Sequence, residues 1–318
     1  MRRIAILYNP RSGPGRSRRK ADVERAAAVF RAQGLEVETQ PTAGPRRADR
    51  QANEFIQKGF DTIIASGGDG TVHDVLQGMV GSDAALGVLP LGTANSLAAD
   101  LGLVKNSVKA AGQLLSAEVK RLAIGQIEYQ RMPDRRECRY FTVAAGVGVD
   151  AALFYKLNAQ FKQRWGMTAY VGESLRQWMV QKFYPFQVEW FDPEQGQKRS
   201  EVVTQLLAVR IANFGGVLKE LAPGADLTRN HLRLVLFKTA SRARYLRFAL
   251  GRLVGQDWPD SQIEFVNTTQ VTCLPYRRNG EPRLPVIYSE ADGELLGRMP
   301  VQISILPNAF NLLMPIKP

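Results

Sequence analysis

Gly67-Gly68-Asp69-Gly70-Thr71 is the segment with the clearest chemical content. The apolar run Thr62-Ile63-Ile64-Ala65, closed by Ser66, precedes it and reads as a buried strand. Val72-His73-Asp74-Val75-Leu76 follows and opens a helical pattern. A strand, a glycine turn and a helix together present backbone N–H groups and a helix N-terminus to a phosphate. The glycines permit positive φ and close approach of the backbone to a ligand. Asp69 would repel a bare phosphate. It fits if Mg²⁺ lies between them, because Mg²⁺ binds through one or two carboxylates plus substrate phosphates. The turn therefore predicts a nucleotide site with a metal, and with it phosphoryl transfer.

The elements that must position this turn alternate. Arg3 to Asn9 reads as a strand, and Asn9-Pro10-Arg11-Ser12-Gly13 as a turn. Val23, Ala26, Ala27 and Phe30 recur at helical spacing between Arg18 and Gln33, and Gly34 ends that helix. Leu35 to Gln40 is a second strand, Arg46 to Lys58 a second helix, and Leu86 to Leu89 a fourth strand. Repeated strand–helix units predict a parallel sheet covered by helices, with ligands at the carboxyl ends of its strands. Asn9-Pro10, Gly67-Gly68 and Gly92-Thr93 all fall at such ends.

After about Lys120 the pattern becomes mainly strands: 122–129, 140–145, 186–191, 202–213, 232–238, 261–274, 286–289 and 302–306. Helical stretches interrupt them near 166–182 and 241–254. The expected division is an α/β nucleotide domain over 1–121 and a β-rich domain over 122–304, with the tail from about 305 to 318 packing back on the first.

The chain has 318 residues, 45% of them hydrophobic and 23% charged, as an ordinary globular protein does. Two cysteines, Cys138 and Cys273, give neither a disulfide framework nor metal-ligand spacing, and two histidines give no His-based zinc site. The start is basic, but its apolar stretch is too short for a signal peptide. No window approaches the ~20 apolar residues of a membrane span. The expectation is a cytoplasmic protein. The net charge of +12 favours anionic partners. No zinc finger, RRM-type motif or helix-turn-helix stands out, so nucleic acid is not among the expected ones. Arg16, Arg18, Arg19 and Lys20 crowd a helix start, where an anion would relieve them. Between 238 and 254, Arg242, Arg244, Arg247 and Arg252 stand among Tyr245, Leu246, Phe248, Leu250 and Leu253. That stretch reads as a helix with its leucines buried on the β domain, and a basic amphipathic helix can also lie on an anionic membrane.

Five segments in order carry a resemblance over nearly the whole chain. They are Asn9 to Gly13, Gly67 to Thr71, Pro90-Leu91-Gly92-Thr93-Ala94-Asn95, Gly146-Val147-Gly148-Val149-Asp150-Ala151 and Asp292-Gly293-Glu294. With them the chain resembles the diacylglycerol kinase catalytic family, which holds soluble bacterial lipid kinases and the related sphingosine kinases. The resemblance implies a Rossmann-like ATP-binding domain, a sandwich-like β domain on the lipid side, and an active site in the cleft between them. It implies ATP and Mg²⁺ as cofactors, a lipid substrate, and transient contact with an anionic membrane at the inner surface. Carried over residue by residue, it implies nucleotide contacts from Asn9, Pro10, Arg11, Ser12, Gly13, Thr42, Ser66, Gly67, Gly68, Asp69, Gly70, Thr71, Val72 and Thr93. Asn95 would order its turn or face the nucleotide. Asp69 would meet Mg²⁺ through water or the nucleotide phosphates. Asp292 would be the general base that takes the proton of the lipid hydroxyl as it attacks the γ-phosphate.

The chain departs from the family pattern in three places. Ser96 stands where Asp is frequent, and Asp74 where Glu is frequent. Some bacterial members bind a structural Mg²⁺ through an Asp-Gly segment, and Arg229-Asn230 stands there in this chain. Other readings remain beside the resemblance. Asp292-Gly293 is also a hairpin turn signal, and Asp150 is also a helix N-cap signal. His73 reads as a surface residue. NAD kinases share a similar diglycine-Asp turn, and a non-catalytic nucleotide- or lipid-binding regulator would keep the same folds.

Overall fold

The computed structural model describes residues 1–13, 18–131, 135–149, 182–193, 195–215, 220–277 and 284–316. Arg16, Asp150 and nearly all of the helical stretch expected over 166–182 lie outside them.

The first strands are β1 (Arg3–Tyr8), β2 (Glu36–Pro41), β3 (Thr62–Gly67) and β4 (Ala85–Pro90). They pair in parallel in the order β2-β1-β3-β4. Every residue of β3 and β4 is buried, as expected of strands covered on both faces. The covering helices are α1 (Arg19–Arg31), α2 (Ala48–Gln57), α3 (Asp69–Gln77), α4 (Ser96–Asp100) and α5 (Ser107–Leu115). α1 packs beside α5, and α2 beside α3. Val23, Ala26, Ala27 and Phe30 of α1 are buried, as their helical spacing predicts. Tyr8 pairs with Pro41 and with Ser66, and Gly67 with Pro90, so the four carboxyl ends form one edge.

The second half begins with β5 (Glu118–Gln130), β6 (Arg136–Phe141) and β7 (Ala144–Gly148). It continues with β8 (Phe186–Asp192), β9 (Gln197–Val203), β10 (Gln205–Val209) and β11 (Leu232–Phe237). Then come α6 (Arg242–Val254), β12 (Ile263–Thr268), β13 (Gln270–Pro275), β14 (Tyr288–Ala291) and the long β15 (Glu294–Met314). Two antiparallel runs, β12-β11-β10-β7-β14 and β9-β8-β13, both meet β15. Between them lies a core of Ile127, Phe141, Val147, Val188, Trp190, Leu206, Leu234, Val271 and Val301. β8 alternates buried and exposed along its length, one face on that core and the other in solvent.

The strands expected as single runs over 202–213 and 261–274 are each two. Thr204 separates β9 from β10, and Thr269 separates β12 from β13. In both cases the chain leaves one sheet for the other: β9 pairs with β8 and β10 with β7 and β11, while β12 pairs with β11 and β13 with β8 and β15. A strand that changes sheets at a corner keeps its alternation through the bend, so periodicity does not mark the break.

The halves share strands. β5 runs through 121–122, and β15 pairs with it almost end to end. The last part of β15 pairs in parallel with β4, Asn311 opposite Ala85 and Leu312 opposite Leu86, and places Phe310 and Leu312 in the core of the first half. No helix among the described residues is long and apolar enough to cross a membrane.

Candidate active site at the meeting of two glycine turns and a hairpin

Two glycine turns lock against each other at the carboxyl edge of β3 and β4. A Cβ built on Gly92 would lie 2.4 Å from the Gly68 Cα, so backbone touches backbone there and only glycine fits. The N–H groups of Leu91 and Gly92 both donate to the Gly67 carbonyl, at 2.8 and 3.1 Å. Asn95 holds the second turn from within. Its Oδ1 accepts from the Gly92 N–H at 2.8 Å and its Nδ2 donates to the Gly92 carbonyl at 2.9 Å. Asn95 is itself left-handed, φ 56°, a conformation Asn tolerates better than most residues. Of the two roles expected of Asn95, the structure places its side chain in the ordering one.

The first turn leans on the same edge. Gly13 has φ 63°, and a Cβ there would meet the Leu91 carbonyl oxygen at 2.2 Å. The Asn9 carboxamide accepts from the Arg11 N–H at 2.9 Å and reaches Thr71 Oγ1 at 3.4 Å. The Thr42 N–H donates to the Tyr8 carbonyl at 2.8 Å. Asn9, Pro10, Arg11, Ser12, Thr42, Gly68, Gly70 and Thr71 line one cleft of ≈ 610 Å³, a size that suits a small-molecule ligand. Gly13, Gly67 and Asn95 shape the turns behind it. Ser66 and Val72 are buried beneath, and Thr93 is exposed on the second turn. The Ser66 hydroxyl has no partner among the described residues.

Asp69 begins α3, where a carboxylate complements the helix dipole. Its oxygens accept from the Asn95 N–H at 2.9 Å and the Ser96 N–H at 2.6 Å. Burial raises its pKa, and those two backbone bonds oppose the shift. Each oxygen retains a lone pair, so Asp69 is suited to meet a hydrated Mg²⁺. No group of three or more His, Cys, Asp or Glu among the described residues forms a cage for a metal.

Asp292 arrives from the second half. It and Gly293 are the two central residues of the turn between β14 and β15, with φ 48° and 82°, as a type I′ turn requires. The hairpin reading of Asp292 is thus correct. The turn aims the carboxylate inward, where Oδ1 accepts from the N–H groups of Val143 at 2.9 Å and Ala144 at 3.1 Å. Oδ2 accepts from the Thr142 N–H at 3.0 Å and faces the Thr142 hydroxyl at 3.4 Å and His73 Nδ1 at 3.5 Å. The side chain is 3% exposed.

His73 is not a surface residue: its side chain is 2% exposed, packed under Asp292. The available signal was its spacing from Asp69, four residues along one helix face. Gln77, four residues further on, hydrogen-bonds β6 as a strand would, accepting from the Tyr140 N–H at 3.0 Å and donating to the Tyr140 carbonyl at 2.8 Å. α3 therefore carries glycine-turn residues at one end and a clamp on the second half at the other. Burial works against protonation of His73, but the Asp292 carboxylate, with Glu294 and Asp74 beyond it, holds its pKa above the ordinary value. The folded-state value is the higher one, so the stabilisation is complete below the unfolded pKa of about 6.5 and is lost as pH rises through the folded-state value. His73→Gln should flatten the fall in Tm between about pH 6 and pH 8, measured by thermal unfolding across buffers.

The carboxylates that line the cleft itself are those of Asp74 and Glu294, with Asp69 and Asp292 behind them. Asp74 accepts from the Arg46 N–H at 2.9 Å. Glu294 follows Asp292 across the turn, and its carboxylate lies against Gly70. Burial raises the pKa of both. Glu294 was legible only as the last letter of the Asp292-Gly293-Glu294 segment. Its alternation with Asp292 across a hairpin is what brings it to the cleft.

The segment that the resemblance associates with a structural Mg²⁺ does not fit a metal in this chain. The carbonyls of Leu227, Arg229 and His231 converge on the Arg210 guanidinium at 2.8, 2.6 and 2.8 Å, and the Ala123 carbonyl joins them at 2.9 Å. Arg210 is 0% exposed. Burial lowers its pKa to about 10, against the opposing pull of Asp226, so it stays charged at neutral pH. Asp226 itself turns back on its own loop, bonded to Thr228 and paired with Arg229. A cation already fills the space among these carbonyls, and a second would be repelled.

A parallel sheet with two interlocked glycine turns thus faces a carboxylate delivered by a β-sandwich. The Diacylglycerol kinase catalytic domain matches residues 3–127, and the YegS C-terminal NAD kinase beta sandwich-like domain matches residues 142–314. The chain belongs to this diacylglycerol kinase and YegS-like family of lipid kinases, whose phosphate donor is ATP. It is 29% identical to a diacylglycerol kinase of Bacillus subtilis (strain 168) over 318 residues, covering 99% of this chain and 97% of that protein. It is 26% identical to a diacylglycerol kinase of Mycobacterium tuberculosis (strain ATCC 25618 / H37Rv), covering 98% and 95%. A crystal structure of a diacylglycerol kinase from Bacillus anthracis str. Sterne superposes with a TM-score of 0.68 at 19% identity, covering 98% and 96%, and has the same fold.

Proposed function

We propose that the protein is an ATP- and Mg²⁺-dependent lipid kinase that transfers the γ-phosphate to a hydroxyl of a membrane lipid, diacylglycerol or a long-chain base among the candidates. One observation carries the reading: the Asp292 hairpin brings a buried carboxylate from the β half to the α3 helix that also bears the glycine turn. The cleft residues Asn9 to Ser12 and Gly68 to Thr71 hold the nucleotide, with backbone N–H groups and the α3 N-terminus toward its phosphates. Mg²⁺, met by Asp69 through water or phosphate oxygens, supplies charge neutralisation. Asp292 is the general base. Its Oδ1 is pinned by two short backbone bonds, while the two long contacts of Oδ2 are the ones an acceptor hydroxyl can displace. A weak base suffices, because the attacking oxygen loses its proton late in a loose phosphoryl transfer. His73, beneath Oδ2, orients the carboxylate.

Half-buried Asp69, Asp74 and Glu294 are disfavoured when charged, and a bound cation relieves that. Mg²⁺–ATP at a hundredfold excess over Kd should therefore raise stability by about 2.7 kcal/mol. In Asp69→Ala the affinity for Mg²⁺–ATP should fall about 10- to 100-fold. The readout is the ligand-induced shift in Tm, because the loss of the Asn95 and Ser96 bonds lowers the unliganded Tm in any case. An undiminished shift would remove Asp69 from the metal.

The activity test is transfer of label from γ-labelled ATP to a total lipid extract, with the organic phase resolved by chromatography. A labelled lipid absent from the Asp292→Asn control supports the reading and identifies the acceptor by mobility. The β-sandwich description is shared with NAD kinases, so a soluble acceptor is the competing reading. A labelled NADP, resolved from ATP in the aqueous phase and formed only when NAD is added, would establish it.

A further inference from the structure

The α6 helix is built inside out. Its sheet side carries Tyr245, Phe248 and Arg252, of which Tyr245 and Phe248 join the cluster of Val209, Val235, Phe237 and Phe265. Phe248 meets Phe237 edge-on, with ring centroids 5.1 Å apart, and Arg252 lies over the same Phe248 ring. Its solvent side carries the aliphatics: Leu246 is 49% exposed, Leu250 43%, Leu253 40% and Val254 59%. Positions 246, 250, 253 and 254 follow the i, i+4, i+7, i+8 spacing of one stripe. The expectation that the leucines would be buried on the β domain is therefore reversed. Aromatic rings and an arginine stem fill the sheet side, and the leucines are left outside.

A stripe of large aliphatics along one exposed helix is unfavourable in water unless something covers it. The charges around it select what that is. Arg242 and Arg247 flank the stripe, both exposed, and α6 contains no acidic residue. The nearby acids are already occupied, Asp260 by Arg244 and Asp257 by Arg252. Arg247 forms no ion pair with any described residue. A second copy of the chain would bring the same cations against each other, within a protein of net charge +12. An anionic lipid surface answers both features, taking the leucines into the acyl boundary and the arginines at the headgroups.

We propose that α6 is a membrane-docking helix that seats the protein on an anionic bilayer through Leu246, Leu250, Leu253 and Val254. This deepens the lipid-kinase reading by locating where the protein meets the surface that holds its substrate. The docking step itself needs neither nucleotide nor turnover, so it stands or falls separately from that reading.

The test is sedimentation of the full chain with vesicles of phosphatidylglycerol and phosphatidylcholine, against phosphatidylcholine alone. Wild type should bind the anionic vesicles, weakly at high salt. Leu246→Asp/Leu250→Asp should lower the partition coefficient at least ~10-fold, and Arg247→Gln about fivefold on anionic vesicles only. Both substitutions lie on the solvent side, and unchanged Tm confirms the fold. Phosphorylation of detergent-dispersed lipid should be unaffected in both, while phosphorylation in vesicles falls with binding. If no variant or wild type phosphorylates lipid but the vesicle series behaves as stated, the docking proposal holds and the kinase reading fails. Equal vesicle binding by wild type and Leu246→Asp/Leu250→Asp would overturn the proposal. So would a wild-type dimer in analytical ultracentrifugation that this double variant converts to monomer, because the stripe would then be covered by a second copy.

Discussion

Asp292→Asn should fold, bind nucleotide, and turn over about 10²- to 10⁴-fold more slowly than wild type. The substitution keeps the shape of the side chain but replaces one acceptor oxygen with an NH₂ group. Asp292 faces three backbone N–H groups, those of Thr142, Val143 and Ala144. The amide can turn its oxygen to one side of that cradle only, leaving donor against donor on the other. A loss of about 1–3 kcal/mol in stability should accompany the loss of turnover. The two effects separate by measurement: kcat at a temperature well below the variant's Tm reports the chemistry, and denaturant unfolding reports the cradle. Affinity for Mg²⁺–ATP should be nearly unchanged, because no described nucleotide-turn residue bonds to Asp292. A folded Asp292→Asn protein with wild-type kcat would end the base assignment. A variant with normal kcat but lowered stability would leave Asp292 a purely structural residue of the hairpin. Glu294→Gln is the natural companion: Glu294, two residues away, lines the nucleotide-sized cleft directly, and loss of turnover in that variant instead would assign the proton transfer to it.

The second large effect is on stability. Arg210→Met should destabilise the protein by roughly 4 kcal/mol or more, because four carbonyls lose a charged donor at once and each unsatisfied buried group costs about 1–3 kcal/mol. These carbonyls come from two places: β5 through Ala123, and the loop before β11 through Leu227, Arg229 and His231. One guanidinium thus ties the loop to β5. The backbone N–H of Arg210 also donates to the Val143 carbonyl at 2.9 Å, so the Asp292 cradle lies directly beside it. Arg210→Lys should recover part of the loss, since an ammonium keeps the charge but cannot reach four carbonyls spread around a planar fork. Wild-type Tm should not respond to a chelator, whereas a protein that depended on a structural divalent ion here would lose stability. Unfolding of Arg210→Met within 1 kcal/mol of wild type would sink the argument that this cation organises the loop.

Much of the site was legible before folding because it is local. Gly67 to Thr71 needs only its own backbone and the next helix to present N–H groups, and glycine at those positions is a steric demand visible in the sequence. The alternation of strand and helix over the first 120 residues predicts the parallel sheet, and the sheet predicts that Asn9, Gly68 and Gly92 share an edge. Asp292-Gly293 likewise declares its I′ turn, since few residue pairs accept positive φ twice.

What was not legible is what depends on partners distant in the chain. His73 looks like any polar residue in a first helical turn until Asp292, 219 residues later, is placed against it. The breaks at Thr204 and Thr269 were hidden because a strand keeps its period of two while changing sheets. The orientation of α6 was misread because its sequence offers apolar residues on both sides, and only the aromatic cluster of β10, β11 and β12 decided which side would be buried. Arg229-Asn230 suggested that a metal segment was altered, but no spacing pointed to Arg210, which comes from another strand. Composition and local pattern determined the fold class, the glycine turns and the Asp292 hairpin turn of this protein, because steric and hydrogen-bonding demands of single turns set them. The tertiary structure alone decided which buried charges face each other and which helix face stays in solvent, because burial and electrostatic pairing depend on every element packed around a residue.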